Sequence, residues 1–299
     1  MSKNKPRLFE GAATALITPF EKGNQRIDEK SFRALMEEQI NAGIAALVIA
    51  GTTGEASTLS ETEHKNLLRI AVEQTEGRVP VIAGCGSNDT EVMLRRSRNA
   101  AEVGCQGLLL VTPYYNKATP AGLIRSFSLV AEKVKLPIIL YHVPARTGLT
   151  VPIPVFAELA KRDNIVAVKE ASGSIQTAME IMAACGDDLD VYTGCDELTV
   201  PTIAMGGAGV ISVLSGLLPA GMQLLCRLAR EGEMEAARAL QLYYLPLIHA
   251  LFSEVNPIPV KTALSLCGKC SEEFRLPMCA MSDENKTTLR EILEKYGVG

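Results

Sequence analysis

The sequence predicts an α/β chain closed into a (β/α)8 TIM barrel with a C-terminal helical subdomain, and three observations lead there. Eight short aliphatic runs recur, at residues 13–18, 46–51, 79–83, 107–111, 137–141, 165–169, 189–193 and 209–212. They lack polar alternation, the pattern of parallel strands buried on both faces, and amphipathic stretches separate them. The turn after the first run reads Ile17-Thr18-Pro19-Phe20, so the glycine-rich phosphate turn of a doubly wound nucleotide-binding sheet is missing. Beyond the eighth run the pattern becomes helical, at 222–230, 234–252 and 285–296. The expected division is a barrel over residues 1–218 and a helical subdomain over 219–299.

The helices between the runs have readable faces and ends. In the stretch 29–41, Phe32, Leu35, Met36 and Ile40 recur at helical spacing. The stretches 62–74 and 91–103 repeat the pattern. Ser60 and Glu63 form a capping box, with Asp28 and Asp89 as caps of the neighbouring helices. Gly43, Gly77 and Gly104 fall where these helices should stop.

Composition narrows the partners. Of 299 residues, 47% are hydrophobic, enough for a large core, and the net charge of -4 gives no global attraction for nucleic acid or an anionic membrane. Residues 1–7 are not followed by an apolar leader, and the longest apolar stretch, 42–50, is too short to span a bilayer. A cytoplasmic protein is expected. The eight cysteines are scattered, and Cys267-Gly268-Lys269-Cys270 has neither a second CxxC nor a downstream histidine pair, so it reads as two reduced thiols.

Active sites of such barrels lie at the carboxyl ends of the strands. Lys169 ends the apolar run Ile165-Val166-Ala167-Val168. An amine desolvated there is held towards its neutral, nucleophilic form and can attack a ketone to give an imine; a lysine at a strand end can equally snorkel to water. Gly51-Thr52-Thr53-Gly54-Glu55 offers two hydroxyls and turn amides to a carboxylate, or simply a helix-capping turn. Tyr114 and Tyr115 are adjacent and cannot easily share one environment, so one is exposed or at an interface. Tyr141 ends the fifth run as a candidate proton relay, and Arg146 follows on its loop as a candidate carboxylate clamp. His142, beside an apolar run, reads better as a hydrogen-bonded neighbour than as a catalyst.

Taken together these segments, with Val168 to Gly173, Gly209-Val210-Ile211-Ser212 and Asn256-Pro257-Ile258-Pro259-Val260-Lys261, resemble the dihydrodipicolinate synthase/N-acetylneuraminate lyase family of class I aldolase-type barrels. The resemblance runs through nearly the whole chain. It implies an imine between Lys169 and pyruvate, a carboxylate site at Thr52 and Thr53, and Tyr141 as general acid/base. It further implies a proton relay through Thr53 and Tyr115, the latter reaching a neighbouring subunit's site, and a pocket lined by Gly194 and Ile211. Thr52, where the lyase branch usually has serine, and Arg146, which that branch lacks, favour the synthase branch. There the arginine binds the carboxylate of aspartate semialdehyde, the enamine attacks the aldehyde, and ring closure follows, in lysine and diaminopimelate biosynthesis. The resemblance also implies a homotetramer, built as a dimer of dimers, and no metal or organic cofactor.

Two positions depart from the family pattern, His142 for asparagine and Ala145 for serine. At the family's lysine-inhibitor site Ala56, Ser57, His64, Asn88 and Tyr114 match, but Glu61 replaces a histidine and Val92 replaces a carboxylate. Weak or absent inhibition by lysine is expected. The alternatives are a pyruvate-dependent aldolase acting on a sugar acid or 2-keto-3-deoxy acid, and a keto-acid sensor without turnover.

Overall fold

The computed structural model describes residues 5–298. Residues 1–4, part of the N-terminal stretch read for a leader, lie outside the described residues, as does Gly299. Eight strands alternate with helices: β1 Gly11–Ala15, β2 Ala46–Ile49, β3 Val81–Gly84, β4 Gly107–Val111, β5 Ile138–His142, β6 Ile165–Glu170, β7 Asp190–Thr193 and β8 Gly209–Ser212. All are parallel, and β1 pairs with both β2 and β8, which closes the barrel. The predicted (β/α)8 architecture is the observed one.

Proline trims two predicted strands. The runs at 79–83 and 137–141 enter the ladder only at Val81 and Ile138, because Pro80 and Pro137 have no N–H to give. Their carbonyls still accept from Leu47 and Leu108, at 3.0 and 2.8 Å.

The helices around the strands are α1 Glu29–Asn41, α2 Glu61–Thr75, α3 Thr90–Glu102, α4 Pro120–Lys133, α5 Pro144–Thr147, α6 Ile153–Leu159, α7 Ile175–Cys185 and α8 Thr199–Ala204. After β8 come α9 Pro219–Arg230, α10 Met234–Leu251, α11 Ile258–Leu266 and α12 Asp283–Lys295. Asp28 and Asp89 accept from backbone N–H groups in the first turns of α1 and α3, and the capping box of Ser60 and Glu63 starts α2. Gly43 and Gly104, at φ +80 and +91, follow the ends of α1 and α3 in a conformation that side chains resist. Helix α9 packs against β1 and β8, and Gln223 on it accepts from the Ala12 N–H at 2.7 Å.

Two apolar layers result. One lies between the strands and the outer helices; the other fills the barrel with Ala13, Val48, Ile82, Leu109, Ile139, Ala167 and Ile211. The amino-terminal segment closes the floor. Phe9 stacks on Tyr192 with ring centroids 4.2 Å apart, and the Tyr192 hydroxyl donates to the Phe9 carbonyl at 2.6 Å. Lys5 donates to the carbonyls of Arg162 and Ile165 at 2.7 and 2.9 Å, just before and at the start of β6. No helix among the described residues is long and apolar enough to cross a membrane.

Candidate active site

The register of β5 against β6 sets Tyr141 opposite Lys169, and His142 opposite Glu170. Lys169 is 7% exposed, and no hydrogen bond or ion pair holds its amine among the described residues. Its Nζ lies 4.5 Å from the centroid of the Tyr141 ring. Gly194, just past β7, makes room for this side chain: a Cβ there would stand 2.7 Å from Lys169 Cε and 2.7 Å from Ala171 Cβ. The lysine therefore lies in a slot that any other residue at 194 would fill.

The loop after β2 forms the opposite wall. The Gly54 and Glu55 N–H groups turn back to the carbonyls of Gly51 and Thr52 at 3.1 and 3.0 Å. The Thr18 hydroxyl fixes the Gly54 carbonyl at 2.7 Å. Thr53 is buried, and its Oγ1 accepts from Asn256 Nδ2 at 3.0 Å. Glu55, at φ +53, turns its carboxylate inward onto the fully buried Lys261 of α11. Lys261 also donates to the Glu273 carbonyl at 3.0 Å and lies over the rings of Phe20 and Phe274. Burial pushes the Lys261 pKa down, and Glu55 opposes that shift.

These walls enclose a cavity of about 110 Å³ lined by Thr52, Thr53, Tyr141, Arg146, Lys169, Gly194 and Asn256. It opens into an outer cavity of about 330 Å³ that shares Thr52, Tyr141 and Arg146 and extends to Tyr114. Arg146, on α5, donates from Nη2 to the Asn256 carbonyl at 3.0 Å. On the β8 side the cavity wall is Val213; Ile211 is fully buried inside the barrel. Asp196 shapes this edge, its Oδ2 accepting from the N–H groups of Val213 and Leu214 at 3.0 and 2.9 Å, and burial raises its pKa. Cys195 also lines the cavity, and burial pushes its thiol up to about 12.

The structure thus gathers six of the sequence-derived site residues, Lys169, Tyr141, Thr52, Thr53, Arg146 and Gly194, at one mouth. Tyr115 stands apart, 91% exposed at φ +69. His142 is a structural residue. Its Nε2 accepts from the Val151 N–H at 3.3 Å, so the ring proton sits on Nδ1, 2.5 Å from Glu170 Oε2. With both nitrogens engaged and the ring fully buried, it has no contact with the cavity. The Glu170 Oε1 accepts from the Ser172 N–H at 2.6 Å, so the pair pins the chain on both sides of Lys169 and Tyr141. Sequence reasoning by residue type alone assigned no role to Asn256 or to the Glu55–Lys261 pair.

A model of the dihydrodipicolinate synthetase family matches residues 8–296. The chain belongs to the dihydrodipicolinate synthetase family. It is 49% identical over 289 residues to the 4-hydroxy-tetrahydrodipicolinate synthase of Geobacter sulfurreducens, covering 97% of this chain and 99% of that one. The corresponding figures for the same enzyme of Syntrophobacter fumaroxidans are 48% over 292 residues, 97% and 100%. The crystal structure of dihydrodipicolinate synthase from Aquifex aeolicus superposes with a TM-score of 0.95 at 42% identity, over 97% of this chain and 99% of that chain. The Acinetobacter baumannii synthase, solved in complex with pyruvate, gives 0.95 at 36% over the same shares.

Among the positions compared with the dihydrodipicolinate synthase inhibitor site, Ala56, Ser57 and Tyr114 line the outer cavity beside Arg96. Glu61 is tied to Arg96 at 2.8 Å. His64 is fully buried, with Nε2 2.8 Å from the Gly84 carbonyl, and burial lowers its pKa.

Proposed function

We infer that this chain condenses pyruvate with L-aspartate 4-semialdehyde through an imine on Lys169, as a 4-hydroxy-tetrahydrodipicolinate synthase of lysine and diaminopimelate biosynthesis. The observation that carries the reading is a buried amine with no hydrogen bond or ion pair among the described residues, 4.5 Å from the Tyr141 ring and lining one cavity with Thr52 and Thr53. A lysine amine that no protein group bonds, lining a cavity beside Tyr141, is placed to add to the carbonyl carbon of a bound keto acid.

The steps follow from the placement. The Lys169 nitrogen adds to the pyruvate C2, and loss of water leaves a protonated imine, with the pyruvate carboxylate held at Thr52 and Thr53. Removal of a C3 proton gives the enamine, the imine nitrogen acting as electron sink, so the chemistry calls on neither metal nor organic cofactor. C3 then bonds to the aldehyde carbon of the semialdehyde, whose oxygen takes up a proton and whose carboxylate pairs with Arg146. The amino group of the adduct attacks C2, the C2–N bond to Lys169 breaks, and the ring closes with the amine restored. Tyr141 serves as the acid/base beside the imine, and Thr53 passes protons onward.

The exposure of Tyr115 supports its placement in a neighbouring subunit's relay, within a homotetramer arranged as a dimer of dimers. A cytoplasmic location belongs to the same reading; cell fractionation and sedimentation check both. Val92 supplies no carboxylate for an inhibitor's amino group, so inhibition by lysine is weak or absent; an inhibition constant in the low micromolar range overturns that. The central test is borohydride trapping with pyruvate. One pyruvyl unit is expected on Lys169, together with turnover on adding the semialdehyde. Covalent trapping that persists in Lys169→Ala would sink the assignment.

A further inference from the structure

Asn256 lies between α10 and α11, away from every barrel strand, yet both its polar ends reach the mouth. It is 6% exposed. Its side-chain Nδ2 donates to Thr53 Oγ1 at 3.0 Å, and its backbone carbonyl accepts from Arg146 at 3.0 Å. Its Oδ1 is buried with no partner among the described residues, so the contact with Thr53 is the one that orients this amide. A threonine hydroxyl has one proton to give and two lone pairs to receive with. Since Thr53 receives from Asn256, its own proton is left free to point into the cavity.

We propose that Asn256 is a positioning residue that sets the direction of the Thr53 hydroxyl, so that Thr53 gives its proton towards the imine and not away from it. The inference rests on the reading of Thr53 as a member of the proton relay. It divides the work of one residue between two substrates. The side chain governs proton movement on pyruvate, while the backbone carbonyl anchors the clamp for the semialdehyde. Substitution of the side chain leaves that carbonyl in place.

The test is exchange of the pyruvate methyl hydrogens for solvent deuterium, followed by NMR without semialdehyde. Each rate is divided by the amount of Lys169 that borohydride traps, so that only folded, imine-forming sites count. In Asn256→Asp the amide donor becomes an acceptor of the same shape, and Thr53 must turn its proton towards it. Exchange should fall on the order of 10²-fold, the size of a lost acid/base contribution. Asn256→Ala leaves the hydroxyl free to point either way and should lose less. The expected ranking is wild type, then Ala, then Asp; a packing role alone predicts that isosteric Asp is tolerated better than Ala. KM for the semialdehyde should stay within about threefold in both variants, because Arg146 keeps its anchor. In a Thr53→Val background Asn256→Asp should slow exchange no further, since the two act as one unit. Asp at wild-type rate, Ala slower than Asp, or additive losses in the double variant would each overturn the proposal. Wild type that fails to trap pyruvate would overturn the catalytic reading itself, and this inference with it.

Discussion

Two lysines are buried at the same end of the barrel. Lys261 is fully buried, with the Glu55 carboxylate, a backbone carbonyl and two aromatic faces around its ammonium. Lys169 has the Tyr141 ring and an adjoining cavity, with no carboxylate or carbonyl among the described residues bonded to its amine. Burial alone therefore does not mark a reactive amine. What separates the two is whether neighbouring groups bond the amine. Where they do, the lysine holds α11 to the loop after β2; where they do not, the amine is left facing the cavity.

Exchanging each lysine for methionine breaks the comparison most sharply. Lys169→Met should abolish borohydride trapping and turnover, while stability in urea stays within about 1.5 kcal/mol, since a similar volume is kept and no partner is orphaned. Lys261→Met leaves Glu55 buried and uncompensated, and should lower stability by about 3–5 kcal/mol. Adding Glu55→Gln to it should recover part of that loss. Equal losses for the two lysines would erase the distinction.

Gly194→Ala tests the slot itself. Its Cβ would meet Lys169 Cε at 2.7 Å and displace the amine. A reduction in kcat of about 10²-fold is expected, because misplacement of a reacting group by about 1 Å has that effect. Wild-type turnover in this variant would mean that the position of Lys169 is not set by the glycine.

The smallest effect belongs to a third ion pair, which shows what such a contact contributes once water reaches it. Arg275 lies over the same Phe20 ring as Lys261 and meets Glu63 at 2.5 Å, partly exposed. The guanidinium lowers the Glu63 carboxyl from 4.5 to about 2. A carboxyl depressed on folding stabilises the fold fully above its ordinary value, and that contribution fades as pH falls from 4.5 towards 2. Glu63→Gln should therefore lower stability by about 1 kcal/mol at pH 7, given solvent screening. The gap in Tm between variant and wild type should narrow as the pH is taken from about 5 towards 3. A gap that widens on acidification would reverse the assignment.

Much of this was legible in the sequence, for identifiable reasons. A strand buried on both faces admits no alternation, so a lysine closing Ile165–Val168 stands out against its neighbours. Two threonines between glycines mark a tight turn in the same way. What stayed hidden depends on distance along the chain. Glu55 and Lys261 are separated by 206 residues, and nothing local to either announces the other. Asn256 lies in a loop, where no periodicity says which way a side chain faces. Thr53, by contrast, was read from its own turn, and the unit that steers it comes from 203 residues away. The runs starting at Val79 and Pro137 begin ahead of their strands, because hydrophobicity marks a run whereas N–H groups decide the ladder.

The closed floor has a kinetic consequence. With Phe9 stacked on Tyr192 beneath the filled barrel, the active site is a cul-de-sac. Everything that enters through the mouth leaves through it, and the guest bound to the deepest residue must arrive first. On the proposed roles of Lys169 and Arg146, pyruvate has to reach Lys169 before the semialdehyde occupies the passage beside Arg146, and no fresh pyruvate can settle until the ring has departed. A queue of this kind is recognised by its jam: excess semialdehyde should slow the enzyme, and more pyruvate should clear it.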